Sequence, residues 1–164
     1  MRLIRTFVII ATLFSLLSGF TATAQEKELI IVATKATFEA AQKWVDFLTF
    51  NEVPFKHVTP RDFGKYQKNP FVVLMGGMDE PDGIKALATE ILSADELKSV
   101  TQKGSGEMIF KFKAWDPMQT VIVFAGSDRA AAEAARIKDK REWFNMFITW
   151  FDLDADIEDQ FHVY

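Results

Sequence analysis

The sequence predicts an α/β fold: a three-layer open mixed sheet of five strands in the order 2-1-3-5-4, mostly parallel, with an antiparallel edge strand and helices on both faces. Three observations carry this expectation. Short continuous apolar runs alternate with segments of helical spacing, the pattern of strands covered on both faces. Two of the runs, Phe71–Met75 and Thr120–Ala125, pass straight into glycine, then polar residues, then a helix start. The last two strands are separated only by Ala114–Gln119, which contains the turn pair Asp116-Pro117; that link is too short for a crossover and implies a hairpin.

Taken in order, Glu28–Ala33 reads as the first strand, with Leu29-Ile30-Ile31-Val32 at its centre. The spacing then becomes helical. Phe38, Ala41, Val45 and Leu48 make one apolar stripe, widened by Trp44, and Thr34 or Thr37 can cap a helix that ends near Asn51. Pro54–Val58 is a short second strand, and Pro60 suits the first position of a short helix or turn reaching Tyr66. Phe71–Met75 is the third strand, broken by Gly76-Gly77. A helix is expected to start at Pro81, with Asp79 and Glu80 near its positive end and Ile84, Leu87, Ala88 and Ile91 on its buried face. Ser93-Ala94-Asp95-Glu96 is a capping box that opens a second helix to Gln102, closed by Gly104 and Gly106. Met108–Lys113 alternates as a strand, with Met108, Phe110 and Phe112 on one face and Ile109 on the other. Thr120–Ala125 is the fifth strand, and Gly126-Ser127-Asp128 leads into an alanine-rich helix from Arg129 through Lys140, with a restart at Arg141.

Composition narrows the function classes. The chain has 164 residues, 49% apolar and 26% charged, which is ordinary for one globular domain. With no cysteine it can form no disulfide, thiolate metal site, cysteine nucleophile or acylated cysteine. A formal charge of −4 argues against nucleic acid as a partner.

Arg2 and Arg5 precede an uncharged apolar run from Phe7 to Phe20, and Thr21-Ala22-Thr23-Ala24 supplies small residues before Glu26-Lys27-Glu28. This is the pattern of a secretory signal, with cleavage expected after Ala24. The apolar run is shorter than the roughly 20 residues of a spanning helix, so no stable membrane span is expected after cleavage. Removing two positive charges from −4 leaves −6 on the exported chain. The expected organisation is therefore a signal over residues 1–24, one α/β domain over 25–151 and an acidic tail over 152–164. The localisation expected is periplasmic or extracellular.

In open α/β sheets ligands bind beyond the carboxyl ends of the strands. The candidate ligand-binding residues are accordingly Lys35, Gly76, Gly77, Asp79, Glu80, Gly126, Ser127, Asp128 and Arg129. Glycine lets a backbone come close to a ligand, free helix N–H groups favour an anion, and Arg129 can clamp a carboxylate or phosphate. The same loops also read as tight turns with ordinary caps. Neither matches a nucleotide-binding glycine motif, and no cofactor is implied.

Asp152, Asp154 and Asp156 open like a calcium loop, but Ile157 stands where glycine is required and Val163 where the bidentate glutamate belongs, which excludes an EF-hand. No zinc spacing is present, so no metal is expected. Ser127 lies in no nucleophile-elbow motif, and His57 and His162 have no motif linking them to it. Trp143, Phe147, Trp150 and Phe151 share a helix face that is either core or a partner interface.

Phe71-Val-Val-Leu-Met-Gly-Gly-Met-Asp-Glu-Pro and Val121-Ile-Val-Phe-Ala-Gly-Ser-Asp-Arg-Ala-Ala-Ala resemble the strand–glycine–helix segments of α/β modules in prokaryotic cell-surface proteins, notably S-layer-associated ones. The resemblance spans about residues 70–137. Such modules often carry threonine at the helix start where Ala130-Ala131-Ala132 stands here. It implies a non-catalytic envelope role and transfers no catalytic residue. The function expected is thus an exported binding or envelope-associated module whose partner is a small anion or an envelope protein. The alternative is a small periplasmic hydrolase with its site at the strand ends, using carboxylates or Ser127.

The export reading predicts that the secreted protein begins at Gln25. Intact-mass measurement checks this, and a secreted chain retaining Met1 would refute it.

Overall fold

The structure, a computed structural model, describes residues 27–153. The expected signal over residues 1–24 and the tail beyond Leu153 lie outside the described residues. Five strands form one sheet: β1 (Leu29–Val32), β2 (Phe55–Val58), β3 (Phe71–Gly77), β4 (Gly106–Phe112) and β5 (Thr120–Gly126). Their order is β2-β1-β3-β5-β4. All neighbours are parallel except β4 and β5, which pair as the expected antiparallel hairpin. The helices are α1 (Lys35–Ala40), α2 (Gln42–Phe50), α3 (Lys85–Ile91), α4 (Ala94–Thr101), α5 (Arg129–Lys138) and α6 (Lys140–Phe151), with a 3-10 helix over Pro60–Lys65. Among the described residues no helix is long and apolar enough to cross a membrane.

The central strands alternate their side chains between two apolar layers. On one face Leu29, Ile31, Val73, Met75, Ile122 and Phe124 pack with residues of α2 and α6. On the other, Ile30, Val32, Val72, Leu74, Val121 and Val123 meet Phe63 of the 3-10 helix, Ile84 before α3, Ala88 of α3 and Val100 of α4.

The first layer is aromatic. Trp44 meets Phe124, Trp143 and Phe147 edge-on at ring separations of 6.0–6.2 Å, the arrangement ring quadrupoles favour. Its indole N–H, buried beside these rings, has no hydrogen-bond partner. The Trp143 indole N–H donates to the Arg136 carbonyl at 3.0 Å. The buried Arg136 guanidinium lies 5.9 Å over the Trp44 ring. Glu133 accepts from it bidentately at 2.8 and 2.5 Å, which neutralises a charge that burial alone would make costly.

Several expected elements shift in detail. The first helix is interrupted at Ala41 and becomes α1 and α2, with Thr34 accepting from the Thr37 N–H as N-cap. β3 does not break at Gly76-Gly77; both glycines stay in the ladder, opposite Ala125 and Gly126. No helix starts at Pro81. Residues 78–84 form successive turns through bonds from the Glu80 N–H to the Gly77 carbonyl and from the Gly83 N–H to the Glu80 carbonyl. Asp82 has a left-handed φ of 53°, and α3 begins only at Lys85. The long alanine-rich helix ends at Lys138, and the chain re-enters a helix at Lys140.

The capping box forms as expected. Ser93 accepts from the Glu96 N–H, and Glu96 accepts from the Ser93 N–H. Burial opposes the charge on Glu96, but the Lys111 ammonium and the Ser93 donors outweigh it, so its carboxyl lies below the ordinary value of 4.5.

Trp143, Phe147 and Trp150 are buried and Phe151 is half-buried. Of the two roles open to this face, the structure assigns core, because the aromatic side of α6 is consumed by the sheet and α2. Phe112 departs from its expected partners: Met108 and Phe110 join the aromatic layer, whereas Phe112 at the end of the edge strand is 66% exposed.

Phe147→Ala is expected to cost about 3–5 kcal/mol through lost burial and a residual cavity. Phe112→Ala is expected to stay within about 0.5 kcal/mol. Urea unfolding of the two variants checks the contrast.

Candidate functional site

The chain leaves β1 toward β2 on one side and reaches β3 on the other, so the β1–β3 boundary is the point where the strand order reverses. Ligand crevices in open α/β sheets form there, beyond the carboxyl ends. Register sets the details. β3 continues through Met75, Gly76 and Gly77 past its last pairing with β1, and Gly77 stands level with Gly126. The turn into α1, the loop after β3 and the start of α5 therefore meet at one end of the sheet.

Glu80 holds them together. Its side chain is only 9% exposed. The Thr37 hydroxyl bridges both carboxylate oxygens at 2.7 and 2.8 Å. The Gly77 N–H donates to Oε2 at 3.1 Å, and Arg129 Nε donates to Oε1 at 3.0 Å. The Thr34 hydroxyl stands 3.4 Å from Oε1. By sequence, Thr34 and Thr37 are candidates for a helix cap. Their bond to Glu80 spans more than forty residues, and no local pattern encodes it.

The glycines serve packing. A Cβ on Gly77 would lie 2.6 Å from the Asp128 carbonyl carbon and the Arg129 nitrogen, and one on Gly126 would lie 2.7 Å from the Ala131 carbonyl carbon. Both positions let the first turn of α5 approach the sheet more closely than any side chain would permit. A Cβ on Gly76 would lie 2.7 Å from Glu80 Oε2, so this glycine leaves room for the carboxylate. The close approach at these glycines is made by the chain's own helix and by Glu80.

The remaining candidates divide. Asp79, Glu80, Asp128 and Arg129 border a cleft of about 550 Å³ that Ala40 and Glu133 help to line. Asp128 caps α5 by accepting from the Ala131 N–H at 2.9 Å, so it already answers the helix N-terminus that was expected to attract an anion. Lys35 is not brought in: its side chain is 83% exposed and pairs with Glu39 on the next turn of α1. Ser127 Oγ accepts from the Gly104 N–H at 2.9 Å.

His57 Nε2 bonds the Ala33 carbonyl, and its ring stacks on Phe38 at 4.1 Å. Neither ring nitrogen is hydrogen-bonded to Ser127 among the described residues. His162 lies outside the described residues. No group of three or more His, Asp or Glu side chains among the described residues is arranged to hold a metal. A second cleft of about 540 Å³ opens at the opposite end of the sheet, beside Lys65, Lys68 and Asn69. That end carries the strand N-termini, where this architecture does not form its crevice.

The chain matches no family model, no curated protein and no solved structure.

Glu80→Gln keeps the side chain's volume but weakens its acceptors, and is expected to cost about 1–3 kcal/mol. Arg129→Ala removes a half-exposed ion pair and is expected to cost under about 1 kcal/mol. Urea midpoints rank the two; the reverse order would show that the ion pair, rather than the buried hydroxyl and backbone donors, holds the loops.

Proposed function

We propose that this protein is an exported, non-catalytic α/β module of the cell envelope that binds its partner at the carboxyl end of the sheet, across the loops Gly76–Pro81 and Gly126–Arg129. The convergence of three strand-end loops on the cleft beside Glu80 and Arg129 carries the reading. The chemistry there favours binding over turnover. The central carboxylate is bonded to donors on α1, β3 and α5, and among the described residues Ser127 Oγ accepts from a backbone N–H and is hydrogen-bonded to no histidine. Export rests on the arginine, apolar and small-residue pattern of residues 1–24, and the envelope role rests on the resemblance over residues 70–137.

A thermal-shift screen of the exported protein, Gln25–Tyr164, against phosphate, nucleotides, organic acids, cell-wall saccharides and calcium tests the reading. A true ligand at a hundredfold excess over its dissociation constant should stabilise the fold by about 2.7 kcal/mol. The expected result is a shift with one ligand class that Arg129→Ala reduces. No shift with any class would overturn the small-molecule form of the reading, and turnover of a model ester would overturn its non-catalytic part.

A further inference from the structure

The environment of the Glu80 carboxylate is a complete set of donors: a backbone N–H at a strand end, a buried threonine hydroxyl bridging both oxygens, a second hydroxyl nearby and a guanidinium N–H. Charge-assisted bonds of this kind are the means by which proteins hold a bound carboxylate. The set lies at the point where the strand order reverses, where an α/β sheet opens its ligand crevice. Its donors belong to three elements, whereas the carboxylate arrives on the run of turns over residues 78–84 that follows Gly77.

We propose that Thr34, Thr37, the Gly77 N–H and Arg129 form a carboxylate-binding site, and that Glu80 keeps it closed by occupying it as an internal ligand. A ligand carboxylate enters by displacing Glu80 and freeing the turns that carry it. The walls of the adjoining cleft select among anions. Asp79 and Asp128 line it beside Arg129, while Glu133 is already paired with Arg136, so a multiply charged phosphate meets more repulsion than a monocarboxylate does. Carboxylate capture depends on the donor set and anion preference on the cleft walls, whether or not the cleft takes a further partner.

Removal of the internal ligand tests it, with formate as the probe. Glu80→Ala, wild type and the double variant Glu80→Ala/Thr37→Val are titrated with sodium formate, with sodium chloride at matched ionic strength, and with phosphate. Thermal midpoint and urea-derived fraction folded are followed, so a partly unfolded Glu80→Ala still reports binding as a gain in folded protein. Formate should stabilise Glu80→Ala saturably. The tethered carboxylate competes intramolecularly for the same donors, so wild type should respond at least tenfold more weakly. The double variant should lose the response.

Three results would overturn the proposal. These are a Glu80→Ala response to formate no larger than to chloride, an undiminished response in the double variant, or a stronger response to phosphate than to formate. A ligand found by the broader screen with no formate effect in Glu80→Ala would overturn this inference and leave the binding reading standing.

Discussion

One carboxylate joins the parts of this fold that sequence leaves separate. Glu80 lies in the loop after β3 and receives hydrogen bonds from Thr37 in the first turn of α1, from its own strand end and from the first residue of α5. Burying a carboxylate is costly unless its oxygens are satisfied. Here Oε1 and Oε2 share the Thr37 hydroxyl, and each has a further N–H donor. The consequence reaches the secondary structure. Glu80 turns back onto the Gly77 N–H, the chain spends residues 78–84 in turns, and α3 is delayed to Lys85.

The two faces of the sheet solve the covering problem differently. One uses aromatic rings from α2 and α6, with buried Arg136 paired to the partly exposed Glu133 at its margin. The other uses aliphatic side chains and Phe63 beneath shorter helices. α5 is held by a third device, the small residues Gly77, Gly106 and Gly126. Because the helix start is pressed onto the strand ends, Arg129 comes within reach of Glu80. Packing on the sheet and geometry at the cleft are therefore one problem.

The fold was legible because its determinants are short-range or statistical. Leu29–Val32, Phe71–Met75 and Thr120–Ala125 announce buried strands by composition, and the brief link before Thr120 dictates a hairpin. The Ser93–Glu96 box and the Asp128 cap act over three residues, so their signature and their bonds coincide. The site was legible only as a location. Gly76, Gly77, Glu80 and Arg129 lie at one sheet end, where Gly77 packs against the start of α5, Gly76 leaves room for the Glu80 carboxylate and Arg129 pairs with it. Lys35 lies on the turn that supplies Thr34 and Thr37, yet it points to solvent and pairs with Glu39.

The sequence by itself determined the alternation of strands and helices, the local caps and the antiparallel edge, because periodicity and turn chemistry are properties of neighbouring segments, and the strand order expected from it is the one observed. Tertiary structure decided which polar groups meet. Thr37 and Arg129 lie 43 and 49 residues from Glu80, and their encounter depends on strand register and on how closely α5 lies against the sheet. Those quantities are set by the packing of the whole core, so no local pattern distinguishes a carboxylate that awaits a ligand from one that already serves as the ligand.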